Sequence, residues 1–308
     1  MFRKQIPNIN VSNSKKLPVA VLGTGNIGTD LLVKILRSPL LKCYLFAGRN
    51  LSSPGMTKAS LLNVPISAGG IGSILDRKNN ISLVFDATSA EDHMKHAPLF
   101  EKAGIVAVDL TPAKVGRMCI PAVNMKECLG SANVNMVSCG GQASIPLAYA
   151  IMEANDKIEY LETVSSIASR SAGPATRVNL DEYLSTTENG LSTFCKCRHT
   201  KAILNLNPAQ PCVHMHTTVM AKAAKFDLEK TREKISEMVK MIRTYVPGYQ
   251  LLLDPIIEGG RLITMVRVDG HGDYLPKYAG NLDIINCAAI AFAEALANIA
   301  PTRHNRVP

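Results

Sequence analysis

A glycine-rich turn between an apolar segment and a helical pattern is the feature that most limits what this chain can fold into. Leu17–Leu22 reads LPVAVL, residues 23–28 read GTGNIG, and leucine and isoleucine then recur at helical spacing over residues 31–36. The glycines of a G-x-G-x-x-G turn allow a tight bend, close approach of a pyrophosphate and close packing of the helix on the strand. The pattern favours dinucleotide binding over a glycine-rich turn that holds no ligand.

The segments that follow predict a parallel sheet. Short apolar runs cover residues 42–46, 81–86, 105–109 and 134–138, and a helical pattern covers residues 90–103. Apolar strands without polar alternation, connected by helices, are typical of a sheet that is buried on both faces. We therefore predict an α/β fold with a Rossmann-type, doubly wound parallel sheet.

The end of the second predicted strand bears on which dinucleotide binds. An acid about 20 residues after the glycines commonly accepts the ribose 2′-hydroxyl of NAD, but this position offers Arg49 and Asn50. Arg49 could accommodate the 2′-phosphate of NADP, whereas Asn50 could hydrogen-bond the ribose of NAD. We predict NAD as the cofactor and leave NADP open.

Composition excludes several classes of protein. The 308 residues carry 34 basic and 25 acidic side chains, a net charge of +9, but Trp is absent and aromatic residues make up 5%. Because long Lys/Arg runs are lacking, we expect no nucleic-acid partner, although anionic small molecules suit the charge. No run approaches the roughly 18 apolar residues that span a bilayer, so we expect a soluble protein without membrane association.

The N-terminus and the cysteines bear on cellular location. Residues 1–16 are basic and lack the apolar segment and cleavage site of a secretory signal. We expect a disordered extension there, with an organellar transit peptide as the alternative. Without a secretory signal, the eight cysteines are expected to be reduced thiols of a cytoplasmic protein.

Cys139 is the candidate nucleophile. It follows the apolar run 134–138, two glycines come next, and a helix is predicted to begin near Ser144. The dipole and N–H groups of a helix start favour a thiolate and can hold an oxyanion. Beside a nicotinamide, such a thiol can add to an aldehyde, pass a hydride to the cofactor and keep the acyl group as a thioester. The residues alone predict a cysteine-dependent aldehyde dehydrogenase and leave the acyl acceptor open.

A second group of cysteines and histidines has the residue types of a metal site. Cys195, Cys197 and His199 alternate, and His214 and His216 follow them. On strands these residues could share a face, but the spacing lacks the C-x₂₋₄-C form of common zinc sites. We expect no metal.

Two further sets of residues carry structural predictions. Cys43, Cys128 and Cys287 lie in apolar segments and are expected in the core. His93 and His96 lie three residues apart on a predicted helix beside charged neighbours and are expected at the surface.

Eight blocks distributed along the chain resemble one known family. In chain order they are GTGNIGTDL (23–31), DATSA (86–90), DLTPA (109–113), NVNMVSCGGQASIP (133–146), SSIASRSAGPATRVNLDEY (165–183), LNPAQP (206–211), YVPGY (245–249) and GHGDYLPKYAGNLDI (270–284). The chain thereby resembles the CoA-acylating acetaldehyde dehydrogenases of meta-cleavage pathways, the partners of 4-hydroxy-2-oxovalerate aldolase. The resemblance extends over nearly all of residues 18–300.

The resemblance implies oxidation of acetaldehyde, or another short aldehyde, to acyl-CoA with NAD and CoA through a thioester on Cys139. It implies a cofactor domain of residues 17–138 plus 277–300 and an inserted α+β domain of residues 139–276 for catalysis and dimerisation. A homodimer in complex with the aldolase, acting in the catabolism of aromatic hydrocarbons, is expected. The alternatives are a phosphate-dependent semialdehyde dehydrogenase of the same fold and a catalytically weak subunit that stabilises an aldolase.

The cofactor-binding residues of the family carry over to matching positions. They are Thr24, Gly25, Asn26 and Ile27 in the glycine-rich turn, and Ser171, Ala172, Gly173, Pro174, Ala175, Thr176, Arg177, Val178, Asn179 and Asn281 further along.

One position departs from the family pattern. In the family, an Asp in the strand after the LNPA block, in a sequence like MRDT, is thought to assist the thiol, and residues 215–218 here read MHTT. Thr217 stands where the Asp would be, and Thr cannot act as a base at neutral pH. His216 or His214 could replace the Asp, or the thiol could depend on the helix terminus. We take His216 as the second catalytic residue.

Overall fold

The computed structural model describes residues 16–173 and 177–299, so the predicted basic extension lies outside the described residues except for Lys16. The strands are β1 (Leu17–Leu22), β2 (Leu41–Ala47), β3 (Ile66–Ser67), β4 (Leu83–Asp86), β5 (Val106–Asp109), β6 (Arg117–Met118), β7 (Asn133–Asn135), β8 (Tyr160–Ala168), β9 (His199–Asn207), β10 (Met215–Lys222), β11 (Tyr249–Glu258) and β12 (Arg261–Val268). The α-helices are α1 (Asn26–Arg37), α2 (Pro54–Leu61), α3 (Gly70–Leu75), α4 (Ala90–Lys102), α5 (Pro121–Cys128), α6 (Cys139–Ala154), α7 (Leu180–Cys195), α8 (Leu228–Arg243) and α9 (Gly280–Ile299).

The first sheet has seven parallel strands in the order β3-β2-β1-β4-β5-β7-β6. It is buried on both faces: in β1, Val19 and Val21 pack into one core, and Ala20 and Leu22 pack into another. The predicted α/β, doubly wound fold is confirmed. The strand order reverses between β1 and β4, and sheets of this type bind ligands at the carboxyl ends of the strands beside such a reversal.

The second sheet has five strands in the order β11-β12-β10-β8-β9, in which only β8 and β9 pair in parallel. Along β8 and β10, fully buried residues alternate with half-buried ones. The buried face packs on α6, α7 and α8. The other face of this sheet is therefore only partly covered by its own chain.

The last helix returns to the first sheet. Helix α9 packs against α1 and α6, and its Ile285 and Phe292 join the core beneath β1. On α1, the buried Lys34 ammonium lies 2.7 Å from an oxygen of Asp283 and 2.9 Å from one of Asp30. Although burial opposes its charge, the carboxylates raise the pKa of Lys34 above its usual value. Buried ion pairs thus join the first and last helices.

Helix α9 is also the one helix of the described residues that is long and apolar enough to cross a membrane on length and composition. Just over half of its most apolar stretch, 56%, is buried inside the protein. Two of its buried polar side chains have partners there: Asn286 donates to Asp30 and Asp283 pairs with Lys34. Such internal contacts are typical of a core helix.

Two helix starts bear on the sequence predictions. The helix expected over residues 90–103 is α4, which the Ser89 side chain caps by accepting a hydrogen bond from the Asp92 N–H. The helix expected near Ser144 begins instead at Cys139, so that prediction was wrong by five residues. The reason is Ser138, whose hydroxyl accepts from the Gly141 N–H and caps the helix ahead of both glycines.

Candidate active site

The three glycines of the first turn have different steric roles. Gly23 has a φ of +109°, and a Cβ on it would lie 2.5 Å from the Ala87 carbonyl oxygen. A Cβ on Gly28 would lie 1.9 Å from the Gly23 carbonyl oxygen. By contrast, nothing lies within 4 Å of a Cβ placed on Gly25. The backbone at Gly25 is therefore open to a ligand, while the other two glycines close the turn.

Helix α1 begins in this turn and faces a cavity of about 730 Å³, which Thr24 and Gly25 help to line. Gly25 is the N-cap, no side chain among the described residues caps the helix, and the first turn contains no acid. Asn26 and Ile27 occupy that first turn. An uncapped helix start with available N–H groups suits a phosphate.

Arg49 and Asn50 lie at the edge of the same cavity. The Asn50 side-chain oxygen accepts from both the N–H and the hydroxyl of Ser52, at 2.9 and 2.7 Å. This acceptor is already used within the loop, whereas the Arg49 side chain is exposed. Of these two side chains, Arg49 is therefore the one available to contact a substituent on the ribose of a bound dinucleotide.

A buried charge cluster supports the opposite wall of the cavity, and it corrects one prediction. His93 and His96, expected at the surface, both contact Asp86 Oδ2 through Nδ1, at 3.0 and 2.9 Å. His93 is fully buried and its Nε2 lies 3.6 Å from Asp109. The surface expectation was wrong because both histidines lie on the face of α4 that packs against the ends of β4 and β5, where Asp86 and Asp109 lie.

The pKa values in this cluster are shifted by burial and by these contacts. Burial alone would raise the pKa of Asp86, but hydrogen bonds from His93, His96 and Thr88 hold it at about 2. Burial raises the pKa of Asp109 to about 6, although His93 opposes the rise. Burial would lower the pKa of His93, yet Asp86 and Asp109 raise it above its usual value. The two carboxyl groups therefore favour the protonated form of His93.

The thiol lies at the same edge of the sheet as the phosphate-binding turn. Leu22, Asp86, Asp109 and Asn135 form one row of paired residues at the carboxyl ends of β1, β4, β5 and β7. At 4.7–4.9 Å per strand this row is about 14 Å long. Cys139 follows Asn135 by four residues, so the thiol and the turn lie at the same edge of the sheet, at opposite ends of this row.

The backbone leading to Cys139 is held in an unusual conformation. Val137 has a φ of +60°, which is rare for a β-branched residue and costs about 1–3 kcal/mol. Its N–H donates to the Asn135 side chain at 2.8 Å, which helps to hold the bend. In the first turn of α6, the buried Gln142 amide donates to the carbonyls of Cys119 and Met136. The thiol is thus presented by a fixed turn between β7 and α6.

Cys139 is half-buried, in contrast to six of the other cysteines, which are buried. Its Sγ lies 3.8 Å from the Tyr183 hydroxyl. Burial raises the pKa of the thiol to about 11, while hydrogen bonds from Tyr183 and from the N–H groups of Cys139 and Gly140 oppose the rise. The N–H groups that stabilise a thiolate here can also stabilise an oxyanion.

The second sheet contributes residues to this site that the sequence analysis missed. Ser165 and Thr217 face each other across β8 and β10, with their hydroxyl oxygens 3.0 Å apart, on the side toward α6. Tyr183 reaches the thiol from α7. The signal available in the sequence was the strand alternation of residues 160–168 and 215–222, but nothing in the sequence pairs these residues with Cys139.

The structure does not bring His216 to the thiol, contrary to its assignment as the second catalytic residue. His216 pairs with Ser166, so its side chain lies on the opposite face of the sheet from Thr217. Its Nδ1 contacts the His214 carbonyl oxygen at 2.8 Å. His214 itself is paired with Asp269. Because neighbouring strand residues alternate between faces, neither histidine replaces the Asp at Thr217.

The remaining predicted cofactor residues converge in part. Asn281, near the start of α9, donates to the Ser171 carbonyl oxygen, and its own Oδ1 is buried without a partner among the described residues. Ala172 is buried, and Arg177 donates to its carbonyl oxygen at 3.1 Å. The other members of the set are less constrained or outside the described residues. Gly173 is half-buried, Val178 is exposed and Asn179 precedes α7 as its N-cap, while Pro174, Ala175 and Thr176 lie outside the described residues.

The cysteines predicted to lie in the core, Cys43, Cys128 and Cys287, are buried. Within residues 16–173 and 177–299, one group of three potential metal ligands comes together, namely His271, Asp283 and Cys287. Asp283 in this group is already paired with the Lys34 ammonium. A cation there would compete with that buried positive charge.

Comparisons with known proteins agree on fold and family. A family model described as prokaryotic acetaldehyde dehydrogenase, dimerisation, matches residues 139–276. An acetaldehyde dehydrogenase of Spirochaeta aurantia is 59% identical over 287 residues, covering 93% of this chain and 97% of that protein. One of Pectobacterium atrosepticum is 53% identical over 288 residues, with the same coverage of both proteins.

Solved structures of lower identity share the fold. The aspartate semialdehyde dehydrogenase II of Vibrio cholerae, complexed with ASA, superimposes with a TM-score of 0.66 at 14% identity, covering 93% of this chain and all of that one. The Candida albicans aspartate semialdehyde dehydrogenase with NADP gives a TM-score of 0.62 at 12% identity, with the same coverage.

The phosphate-binding turn and the thiol at one sheet edge, together with these relatives, define a nicotinamide-dependent oxidoreductase that acts on aldehydes. Within that class, the extent of the identity decides the family. The chain belongs to the acetaldehyde dehydrogenase family.

Proposed function

We propose that the protein is an acylating acetaldehyde dehydrogenase, which converts acetaldehyde, or another short aldehyde, and CoA to acyl-CoA. The observation that carries the proposal is the position of Cys139. It is a half-buried thiol at the start of α6, on the same sheet edge as the uncapped start of α1. The names of the relatives support acetaldehyde as the substrate.

The described residues fit a nicotinamide dinucleotide. The open backbone at Gly25 and the N–H groups of α1 suit the pyrophosphate, and Arg49 lies where a ribose substituent would be read. The Oδ1 of Asn281, which is buried and has no partner among the described residues, is an acceptor that a carboxamide N–H₂ would satisfy. When bound, the nicotinamide supplies the hydride acceptor. We propose NAD as the cofactor, with NADP accepted through Arg49.

The mechanism follows from the groups around the thiol. The Cys139 sulfur, as a thiolate, forms a bond to the aldehyde carbonyl carbon, and the N–H groups at the start of α6 stabilise the oxyanion that results. Loss of hydride from the same carbon restores the carbonyl group and leaves an acyl thioester on Cys139. The strained turn at Val137 and the amide of Gln142 hold the sulfur in place during these steps.

The second half-reaction transfers the acyl group. The sulfur of CoA attacks the thioester carbon, and Cys139 leaves as a thiolate, ready for another aldehyde. Inorganic phosphate as the acceptor is the competing proposal, because semialdehyde dehydrogenases share this fold. The identity of the relatives favours the CoA reaction.

We also propose that the protein is a homodimer formed through the partly covered face of the second sheet. Val164, Met220, Met265 and Ile263 are half-buried on this face and adjacent in the strand register, and Ile203 beside them is 40% exposed. A contiguous apolar face on a sheet is a feature of interfaces. The family model that covers this sheet is described as a dimerisation domain, which supports the proposal.

Sedimentation velocity tests the dimer. The full-length Met265→Asp variant is expected to sediment as a monomer, because a charge would be buried at the centre of the contact. Met241→Asp is a matched control, because Met241 is 49% exposed on α8, away from this sheet face. Dimerisation of the Met265→Asp variant with unchanged affinity would contradict the proposed face.

An aldolase partner and a cytoplasmic location complete the proposal. Resemblance of the sequence blocks supports the aldolase, and copurification from cells that express both proteins tests it. All eight thiols are unpaired, which supports a reducing compartment. Imaging of the tagged full-length chain distinguishes the cytoplasm from an organelle reached through a transit peptide.

The enzymatic proposal is tested by the formation of reduced nicotinamide from acetaldehyde with CoA, with phosphate, or with neither acceptor. We expect turnover that depends on CoA and is abolished in Cys139→Ala. Cys212→Ala is the control, because Cys212 is the other cysteine that is not buried. Turnover with phosphate in place of CoA would favour the competing reaction. Absence of turnover with any short aldehyde, in a protein that binds the dinucleotide, would favour a weak subunit.

A further inference from the structure

Three buried hydroxyl groups lead from Cys139 into the second sheet. The Tyr183 hydroxyl lies 3.8 Å from the Cys139 sulfur. The Ser165 hydroxyl lies on the same side of Gly140 as the Tyr183 phenol and acts to lower its pKa, against the larger effect of burial. Ser165 is in turn 3.0 Å from the hydroxyl of Thr217. The exposed fractions of Tyr183, Ser165 and Thr217 are 7%, 3% and 0%. The line of hydroxyls therefore starts at the thiol and ends, buried, at Thr217.

Packing holds the phenol in this position. A methyl group on Gly140 would lie 2.1 Å from the Tyr183 hydroxyl oxygen and 3.1 Å from that of Ser165, so both hydroxyls press on the first turn of α6. On α7, the Thr187 hydroxyl donates to the Tyr183 carbonyl oxygen and contacts the Ser138 hydroxyl at 2.7 Å. The helix that carries Tyr183 is thereby hydrogen-bonded to the residue that caps the thiol's own helix.

The groups that face the thiol are neutral. Within the described residues, those that shift the Cys139 pKa are Tyr183 and the N–H groups of Cys139 and Gly140, together with burial. The residue of β10 that faces this region is Thr217, and that of β8 is Ser165. A thiolate here depends on hydrogen-bond donors, because no carboxylate is among these groups.

We propose that Tyr183, Ser165 and Thr217 act as a chain of hydroxyl donors that stabilises the Cys139 thiolate in place of a carboxylate base. Tyr183, which touches the reacting sulfur, is the catalytic member, and Ser165 and Thr217 are positioning residues. The assignment deepens the proposed function, on which it rests for the role of the thiol in turnover.

The line of hydroxyls stabilises the thiolate by reversing the direction of its hydrogen bonds. While the thiol is protonated, its S–H donates to the Tyr183 oxygen. When the S–H bond breaks, the proton passes to a water or buffer base, because Cys139 is half-buried rather than sealed from solvent. The Tyr183 O–H then donates to the sulfur, the Ser165 O–H to Tyr183, and the Thr217 O–H to Ser165. No atom other than the proton leaves.

Thr217, the last hydroxyl of the line, favours the hydrogen-bond direction that accompanies the thiolate. Among the described residues, the Thr217 hydroxyl has one hydrogen-bond partner, Ser165. If Ser165 donates to Thr217, the Thr217 O–H is a buried donor without an acceptor, which costs about 1–3 kcal/mol. If Thr217 donates to Ser165, every O–H in the line is satisfied. The contacts between neighbouring members of the line are the same in both directions. Formation of the thiolate therefore gives the buried Thr217 O–H an acceptor that it lacks while the thiol donates to Tyr183.

The experiment measures the rate at which iodoacetamide alkylates Cys139 as a function of pH, with mass spectrometry to separate Cys139 from Cys212. Full-length wild type, Tyr183→Phe and Thr217→Val are compared. We expect Tyr183→Phe to raise the apparent pKa of Cys139 by about one unit, which slows alkylation at neutral pH about tenfold. Thr217→Val, which keeps the shape of the side chain, is expected to shift it in the same direction by less.

Tyr149→Phe is the matched control, because Tyr149 lies on α6 away from the line of hydroxyls, where burial and the Glu153 carboxylate raise its pKa. We expect its alkylation profile to coincide with that of the wild type. A Tyr183→Phe profile equal to the wild type would overturn the proposal and reduce Tyr183 to a packing residue. A lower pKa in that variant would also overturn it, because the phenol would then oppose the thiolate.

Alkylation requires neither aldehyde, CoA nor dinucleotide, so the two proposals can fail separately. Wild-type protein that oxidises no aldehyde but shows the Tyr183-dependent profile would overturn the enzymatic proposal and support the chain of donors. Full CoA-dependent turnover in the wild type, together with a Tyr183→Phe alkylation profile identical to that of the wild type, would support the enzymatic proposal and overturn the chain of donors. Circular dichroism spectra of each variant show whether the fold is intact.

Discussion

Substitution of His93 by Ala removes the histidine at the centre of the buried cluster, beside the cavity at the glycine-rich turn. In the folded protein His93 contacts Asp86 at 3.0 Å and Asp109 at 3.6 Å, and all three side chains are fully buried. The variant leaves Asp86 with His96 and Thr88 as partners and leaves Asp109 without a nearby positive charge. We expect a large loss of stability rather than a change at the surface.

The magnitude follows from the pKa of Asp86 and from the cost of an unpaired buried charge. Holding that pKa at about 2, against a reference of 3.8, corresponds to about 2 kcal/mol of stability near neutral pH. His93 supplies part of this and also offsets the burial of Asp109. Removal of one partner of a buried pair costs about 3–5 kcal/mol, and we expect a decrease within this range.

The effect has a defined dependence on pH. The folded pKa of His93 is raised, so the stability it contributes is present below its unfolded pKa and is lost as pH rises through the folded value. The difference between wild type and His93→Ala is therefore expected to be larger at about pH 6.5 than at about pH 9. Protonation of Asp109, whose pKa is about 6, reduces the difference again at lower pH.

Urea unfolding followed by circular dichroism, at several pH values and with the slope of the transition checked, measures this difference. His199→Ala is the control, because His199 is exposed and its loss is expected to change the free energy of unfolding by less than about 0.5 kcal/mol. A loss below about 1 kcal/mol for His93→Ala, or a loss that grows between about pH 6.5 and pH 9, would refute the role of protonated His93 in stabilising the cluster.

Three further substitutions test other parts of the site. Gly140→Ala places a methyl group 2.1 Å from the Tyr183 hydroxyl oxygen and is expected to lower turnover at least about tenfold; undiminished turnover in a steady-state assay would contradict the packing. Arg49→Ala is expected to weaken NADP binding in calorimetry by about 1.5 kcal/mol and to leave NAD binding unchanged, and equal losses would count against a role at the 2′ position. Asp283→Asn removes the carboxylate that lies 2.7 Å from the Lys34 ammonium and is expected to lower the free energy of urea unfolding by about 3 kcal/mol. An unchanged unfolding midpoint would show that the pair contributes little.

The parallel sheet and its glycine-rich turn could be predicted because their determinants are local. Gly28 packs against the carbonyl of Gly23 within the turn, Gly25 leaves the backbone open, and apolar strands alternate with helices in the order of the chain. Cys139 could be singled out for the same reason, since a thiol before a pair of glycines at a strand end is a local pattern.

Contacts between distant segments could not be read from the sequence. Tyr183 and Ser165 reach the thiol from α7 and β8, and the pairing of β8 with β10 decides which side of the sheet Thr217 faces. The sequence does not show which face of the sheet His216 occupies. Because His216 is one residue from Thr217 along the strand, its side chain lies on the opposite face, away from the thiol. His93 was misplaced because its partners, Asp86 and Asp109, lie on neighbouring strands that the sequence separates by 23 residues.

The return of α9 to the first sheet has a consequence for the order of events during protein synthesis. The ion pair between Lys34 and Asp283 closes a separation of 249 residues, and Asn286 donates to Asp30 across 256. The ribosome must therefore add 249 residues after Lys34 before helix α1 can pack on helix α9, although its contacts with β1, β2 and α2 can form earlier. Until then the apolar surface of β1 and α1 that α9 covers stays exposed to solvent and accessible to chaperones.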